Sequence, residues 1–237
     1  MSIQATRIGD GPIIRPHMDG RMGSNINGAT VMRVPDWVSG ALARYYLYFA
    51  DHRGTYIRLA LADRIEGPWR MHEPGAMELT ASDFPIGPLD ANTIDHPSDD
   101  LYCHIASPDI HVLEDRREIR MYYHGRLEDG GQASRVASSV DGLRFSAGAE
   151  ILGAPYFRAF QHDRWTYALA MPGILYRSLD GLTGFERGPQ CFDPDTRHVA
   201  TTTRDDQLHV FWTRAGDCPE RILHSTIDMS ADWKHWR

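Results

Sequence analysis

An all-β fold, a β-propeller of about four blades, is what this 237-residue sequence predicts, and three observations predict it. Short runs alternate apolar and polar residues at period two, and tight polar turns separate them, which is the pattern of half-buried strands joined as hairpins. The pattern is written four times, in units of about 40–50 residues, as propeller blades require. No segment sustains a 3.6-residue period, so helices have little place in the fold. A large sandwich is the alternative architecture.

The clearest hairpin is Ser107 to Gly125, where Ile110 and Val112 precede the charged turn Glu114-Asp115-Arg116-Arg117 and Ile119, Met121 and Tyr123 follow it. Residues 1–26 read as an extended entry segment. The first set then has strands at Asn27–Val34, Arg44–Ala50 and Tyr56–Ala62, with a short fourth at Gly67–Met71. Residues 73–103 carry Pro74, Pro85, Pro88 and Pro97 and read as an insertion; irregular segments of that length are commonly functional or mobile. The opening hairpin continues into Ser134–Ser139 and Leu143–Phe145. The third set is Tyr156–Phe160, Trp165–Met171, Ile174–Ser178 and a closing strand around Phe185. The fourth is His198–Thr203, Leu208–Thr213, Arg221–Thr226 and an ending near Trp233. Second strands align on Tyr48, Tyr122, Leu169 and Phe211, at intervals of 74, 47 and 42 residues, the first stretched by the insertion. A turn recurs as SVDGLRF at Ser139–Phe145 and SLDGLTGF at Ser178–Phe185. The whole chain, 1–237, reads as a single propeller domain.

Composition narrows the function. Net charge is −7 with a pI near 5.9, so the basic footprint of a nucleic-acid binder is missing. The sequence has no apolar window of the ~18 residues that a membrane span needs and no apolar core of signal-peptide length at its start. Cys103, Cys191 and Cys218 are odd in number and lack a CxxC pair, which suits reduced thiols and a cytoplasmic location. Neither HExxH, an EF-hand loop nor a phosphate-cradling glycine motif is present, so no metal site is expected from motifs.

Three stretches, YYLYFADHRGTYIRLALADRIEGPW (Tyr45–Trp69), SPDIHVLEDRREIRMYYHG and RHVATTTRDDQLHVFWTRAGDCPERILHSTID (Arg197–Asp228), carry a further likeness. Through them the chain resembles the five-bladed propellers of glycoside hydrolase family 43 and its clan relatives, from Asn27 onward. The resemblance implies a central funnel lined by innermost strands, with carboxylates at its mouth. One of these would activate water and a protonated one would donate to the leaving oxygen, at separations of about 5 to 9.5 Å. It also implies a carbohydrate as substrate or ligand, with calcium as the one cofactor the funnel could hold, beside His198.

The catalytic signatures depart from the family's pattern. Asn27-Gly28 stands where the family's base Asp is expected, and an amide cannot take the proton. Asp19 could reach the funnel in its place or could cap a turn. Asp109 is the best match to a family carboxylate, as base or pKa modulator; with His111 it is expected to point to one face of its strand, toward the funnel. The strand APYFRAF lacks the family's acid Glu, and Glu220 is the substitute acid unless Arg221 locks it in an ion pair, which would depress its pKa. Asn27, His52, His104 and His124, with Arg158, Arg197, His198 and Arg221, are the candidate sugar-binding residues; Tyr156, Phe157, Trp165 and Trp212 could supply aromatic faces. The readings are a glycosidase, a non-catalytic sugar-binding propeller, and an assembly scaffold. An incomplete ring would expose sheet edges, so either the N-terminal segment or a partner chain, as in a homodimer, is expected to cover them.

Overall fold

The structure, a computed structural model, describes residues 4, 6–9, 11–89 and 102–237. Four antiparallel sheets follow one another in chain order. Blade I contains β1 (Asn27–Arg33), β2 (Tyr45–Ala50), β3 (Tyr56–Ala62) and β4 (Arg70–Glu78). Blade II contains β5 (Ile105–Leu113), β6 (Glu118–Arg126), β7 (Gln132–Ser139) and β8 (Ser146–Ala147). Blade III contains β9 (Arg158–His162), β10 (Trp165–Ala170), β11 (Ile174–Ser178) and β12 (Glu186–Gln190). Blade IV has β13 (Thr196–Arg204), β14 (Gln207–Arg214) and β15 (Leu223–Asp228). The four-bladed reading therefore holds, with local corrections; one is that the short strand expected at Leu143–Phe145 is a turn, and β8 follows it at Ser146–Ala147. Two others concern blades I and IV.

First, β4 runs on through Glu78, so the opening of the proline-rich insertion is strand. Pro74 is tolerated because β4 is the edge strand of its sheet. Residues 90–101 of the insertion lie outside the described residues. Second, the ending expected near Trp233 is a single 3-10 turn, Trp233–His235, with the Asp232 side chain accepting from the Lys234 amide, so blade IV has three strands. Trp233 of that turn and the Trp236 that follows it are buried against blade III, their rings 6.0 and 4.7 Å from that of Tyr167.

Register repeats from blade to blade. Thr30 faces Tyr48, Asp109 faces Tyr122, Arg158 faces Leu169 and Ala200 faces Phe211. Two residues before each first member stands a residue with left-handed backbone: Gly28, Ser107, Tyr156 and His198, at φ of 59°, 51°, 66° and 49°. The ladders of blades I, II and IV shift register at this point, as a bulge does. At Gly28 the demand is also steric, because a Cβ there would lie 2.7 Å from Ser107 Cα. The innermost strands thus approach each other closely where they begin.

Blades pack face to face. Along β2, Tyr46, Tyr48 and Ala50 enter the core shared with blade II, while Leu47 and Phe49 enter another on the opposite face. Along β10, Ala168 and Ala170 face blade II and Tyr167 and Leu169 face blade IV. The recurrent turns lock neighbouring blades together. Ser139 and Asp141 bond the amides of Gly142 to Arg144; Ser178 and Asp180 do the same for Gly181 to Thr183. The Tyr48 hydroxyl donates to Gly142 O at 2.6 Å, and the Tyr122 hydroxyl to Gly181 O at 2.8 Å. Glycine is favoured there: φ is 72° at Gly142, and a Cβ would lie 2.6 Å from Met32 Cε and 2.8 Å from the Tyr48 hydroxyl oxygen.

With four blades in the chain, the surfaces left bare by the arc are blade faces rather than hydrogen-bonding edges. Blade I's second face, with Leu47, Phe49, Ala60 and Trp69, is covered by Ile14, Met18, Met22 and Ile26 of the N-terminal segment. Blade IV's second face, with Thr202, His209, Phe211, His224 and Thr226, stands half or fully exposed.

Candidate functional site

The starts of the innermost strands converge at one end of the propeller and bring together an arc of rings contributed by all four blades. His104, at the entry to β5, meets His124 of β6 edge-on with centroids 5.7 Å apart. His124 stacks on Tyr156, before β9, at 4.1 Å. Tyr156 meets His198 of β13 at 5.9 Å, and His198 meets His52, in the β2–β3 turn, at 6.5 Å. The Nδ2 of Asn27 lies 2.8 Å from His52 Nε2. His52 closes the arc toward His104, whose protonation it disfavours electrostatically. His104 and His124 are buried, Tyr156 and His198 are half-buried, and His52 is exposed. The arc is therefore reachable from solvent at one side.

Beneath it, Arg158 fastens three inner strands to one another. Its Nη1 donates to the carbonyls of Pro108 and Ser107 at 2.9 and 3.3 Å, and its Nε to Val199 O at 3.0 Å. Burial holds the imidazoles of His104, His124 and His198 below the ordinary histidine value, and the neighbouring cations push in the same direction. At neutral pH these rings are uncharged. Burial raises the Tyr156 phenol, opposed by Arg197, Ser107 and Arg158. The Nδ1 of His124 is buried with no hydrogen-bond partner.

The candidate carboxylates do not gather at this arc. Asp109 shares a face of β5 with His111, and that face meets blade III, because the faces of a blade pack on its neighbours. Its Oδ2 lies 2.8 Å from His111 Nε2 and accepts the Ala159 amide at 2.8 Å, while Oδ1 is 3.7 Å from Arg158 Nη1. Burial alone would raise the Asp109 carboxyl, but His111, Arg158 and the Ala159 amide outweigh it and hold it below the usual range. Asp19 accepts the amides of Arg21 and Met22 at 2.8 Å each and so caps a turn in the segment covering blade I. Its neighbour Arg21 pairs with Glu78 and lies 3.7 Å over the Tyr56 ring.

Glu220 lies in the exposed β14–β15 loop, within electrostatic reach of His198. Its partner is not Arg221, which is exposed. A hydrogen bond with Thr213, together with Arg197 and His198, holds the Glu220 carboxyl below its ordinary value. A group so held is ionised at neutral pH, whereas a general acid needs a raised pKa.

Among the expected aromatic platforms only Tyr156 joins the arc. Phe157 and Trp212 are buried in the cores between blades, and Trp165 stacks with Arg177, whose guanidinium carbon is 4.0 Å from the ring. Ser107 is a member the sequence reading omitted; its backbone twist matches those of Gly28, Tyr156 and His198. Four chemically unrelated residue types share that twist, so no sequence signal marks it. Calcium takes six to eight oxygen ligands, waters among them, and the side chains of the arc supply mainly imidazole and guanidinium nitrogens. Among the described residues no group of His, Cys, Asp and Glu is arranged to hold a metal ion.

No family profile matches the chain. An α-L-arabinofuranosidase from Clostridium thermocellum superimposes with a TM-score of 0.56 at 19% identity, over 81% of this chain and 62% of that one. A β-xylosidase/α-arabinofuranosidase of glycoside hydrolase family 43, from a compost metagenome, superimposes at 0.60 and 11% identity, over 96% and 80%. The fold is that of the family-43 glycoside hydrolases. Identities this low bear on the fold alone. In sequence, the uncharacterized protein R118 of Acanthamoeba polyphaga mimivirus is 31% identical across 90% of this chain. The chain spans 65% of the length of that relative.

Proposed function

We propose that this glycosidase-type propeller binds a carbohydrate at the arc of His52, His104, His124, Tyr156 and His198 and does not hydrolyse it. The observation that supports this reading is a negative one about chemistry. Glycoside hydrolysis takes one ionised and one protonated carboxyl facing a common bond. Asp109 is turned into the blade II–III contact with its acceptors engaged, and Glu220 sits ionised on the rim. What the mouth does offer is a stacked His124–Tyr156 platform flanked by polar donors and acceptors, the ordinary make-up of a sugar site.

The test is a panel of nitrophenyl arabinofuranosides, xylosides, galactosides and glucosides, run beside calorimetry with the corresponding oligosaccharides. The expected result is no turnover, with binding that weakens about tenfold or more in Tyr156→Ala, since loss of a stacking face costs on the order of 1 kcal/mol or more. Turnover that disappears in both Asp109→Asn and Glu220→Gln would overturn the reading in favour of a glycosidase.

A further inference from the structure

The outermost strands of the four blades are not alike. β4 carries Pro74, β12 carries Pro189, and β8 is two residues long. Proline and shortness are devices by which a sheet edge refuses further strands. Blade IV ends on its third strand, so its outermost strand is β15, Leu223-His224-Ser225-Thr226-Ile227-Asp228, which has neither device and no lysine. This edge differs from the blade faces that the open ring leaves bare, because what it presents is main chain.

The register fixes which groups are presented. Leu208 faces Ile227 and Val210 faces Ser225, and just beyond them the Met229 amide donates to Asp206 O at 2.8 Å. Odd-numbered residues of β15 therefore turn their main-chain groups to β14, and in an antiparallel ladder the alternate residues turn theirs away. The amides and carbonyls of His224, Thr226 and Asp228 point out of the edge, where among the described residues no strand pairs with them. The side chains of these three residues are exposed, and Ile222, just before the strand, is 78% exposed.

The strand is also complementary to its own reverse. Laid antiparallel about a two-fold axis at Thr226, it sets Thr226 opposite Thr226 of a second copy and His224 opposite Asp228 on either side. All three pairs are then of the kind that exchanges both N–H···O bonds, because each residue concerned directs its main chain outward. An imidazole facing a carboxylate across two strands favours the pairing, and like charges in those places oppose it.

We infer that β15 pairs with β15 of a second copy of this chain, antiparallel about Thr226, joining two copies of blade IV into one continuous sheet. The inference is independent of the carbohydrate reading. Antiparallel pairing reverses every strand of the second copy, so the two arcs open in opposite directions and the assembly has a mouth at either end.

The experiment is sedimentation velocity on the full chain over about two decades of micromolar concentration, with amide hydrogen exchange followed across β15. The expected result is a monomer–dimer equilibrium in which protection of His224, Thr226 and Asp228 rises with the fraction of dimer. Thr226→Pro removes the central amide without touching the bonds to β14 and is expected to leave only monomer. If the proline variant loses the native circular dichroism spectrum, Thr226→Lys, which sets two ammonium groups against each other, is expected to do the same. His224→Asp places carboxylate against carboxylate at both ends and is expected to weaken the dimer about tenfold. The exchange His224→Asp/Asp228→His restores the complementary pairs and is expected to recover most of that loss, which a merely local disturbance at either position does not. A chain that stays monomeric throughout overturns the inference and leaves the carbohydrate reading untouched. A dimer that survives both Thr226 variants and is lost in Phe211→Glu overturns it in favour of an interface on the bare face of blade IV. A dimer that survives all three variants sits elsewhere and overturns it as well.

Discussion

Blades I and IV each have a neighbour on one side only, and they treat their second face in opposite ways. In blade I, β2 is apolar without interruption from Tyr46 to Ala50, and all of these residues are buried. One set packs on blade II and the alternate set takes Ile14, Met18 and Met22 as its cover. In blade IV, β14 alternates: Leu208, Val210 and Trp212 are buried, and His209, Phe211 and Thr213 are half-exposed between them. A continuous apolar strand needs both faces covered, while an alternating one needs a single core. The difference is written into residues three strands deep in each blade, so it is a property of the sheets and not of the segment that happens to lie on one of them.

The largest test of that contrast is a pair of truncations followed by urea unfolding. Phe49→Ala, in a fully buried face, is expected to cost about 3–5 kcal/mol. Phe211→Ala, at the bare face of blade IV, is expected to cost under about 1 kcal/mol. Equal losses would mean that blade IV's second face is covered in solution.

A second pair sharpens the comparison at the turns. Tyr48 and Tyr122 occupy the register position that Phe211 occupies in blade IV, and each tyrosine donates to the turn glycine of the following blade. Tyr48→Phe and Tyr122→Phe each leave a buried carbonyl short of its partner and are expected to cost about 1–3 kcal/mol. Phe211 faces no following turn among the described residues, so Phe211→Tyr is expected to fall within about 0.5 kcal/mol of zero. A sizeable gain from Phe211→Tyr would point to a fifth packing partner.

The smallest expected effect is on pH dependence and belongs to the arc. His104, His124 and His198 are held below the ordinary histidine value in the folded chain, by burial first. The unfolded chain therefore binds protons near pH 6.5 that the folded one refuses. Their contribution is fully present above that pH and is lost as the pH falls below it. Asp109, Glu118 and Asp141, held low, and Asp180, held at about 2, act in the same direction at lower pH: their contribution is present above the unfolded carboxylate value and lost as the pH falls through the folded one. The thermal midpoint is expected to decline from pH 7 to 5, and His124→Gln to flatten that decline. An unchanged slope in the variant would place the titrating groups elsewhere.

Much of this architecture was legible before any coordinates. The alignment of Tyr48, Tyr122, Leu169 and Phe211 matches the structural register, and the repeated Ser-x-Asp-Gly turns stand where the blades interlock. The site was legible as a list more than as a place. Asn27, His52, His104, His124, Arg158, Arg197 and His198 do come together, while Asp19 and Asp109 go to a turn cap and a blade contact. Asp109 shows why. Its strand face follows from period-two alternation, but which neighbour that face meets depends on how blade III docks.

The sequence by itself thus determined blade count and most strand positions, because a strand's alternation is local and survives in the linear order, whereas the surfaces left bare by the open ring, which it led one to expect at sheet edges, are blade faces. Only the tertiary structure decided that four dissimilar residues, Gly28, Ser107, Tyr156 and His198, share one backbone twist, and that imidazoles from three blades meet around one tyrosine. Those contacts join residues as far apart as 52 and 198, and distance along the chain carries no record of the angle at which blades stack.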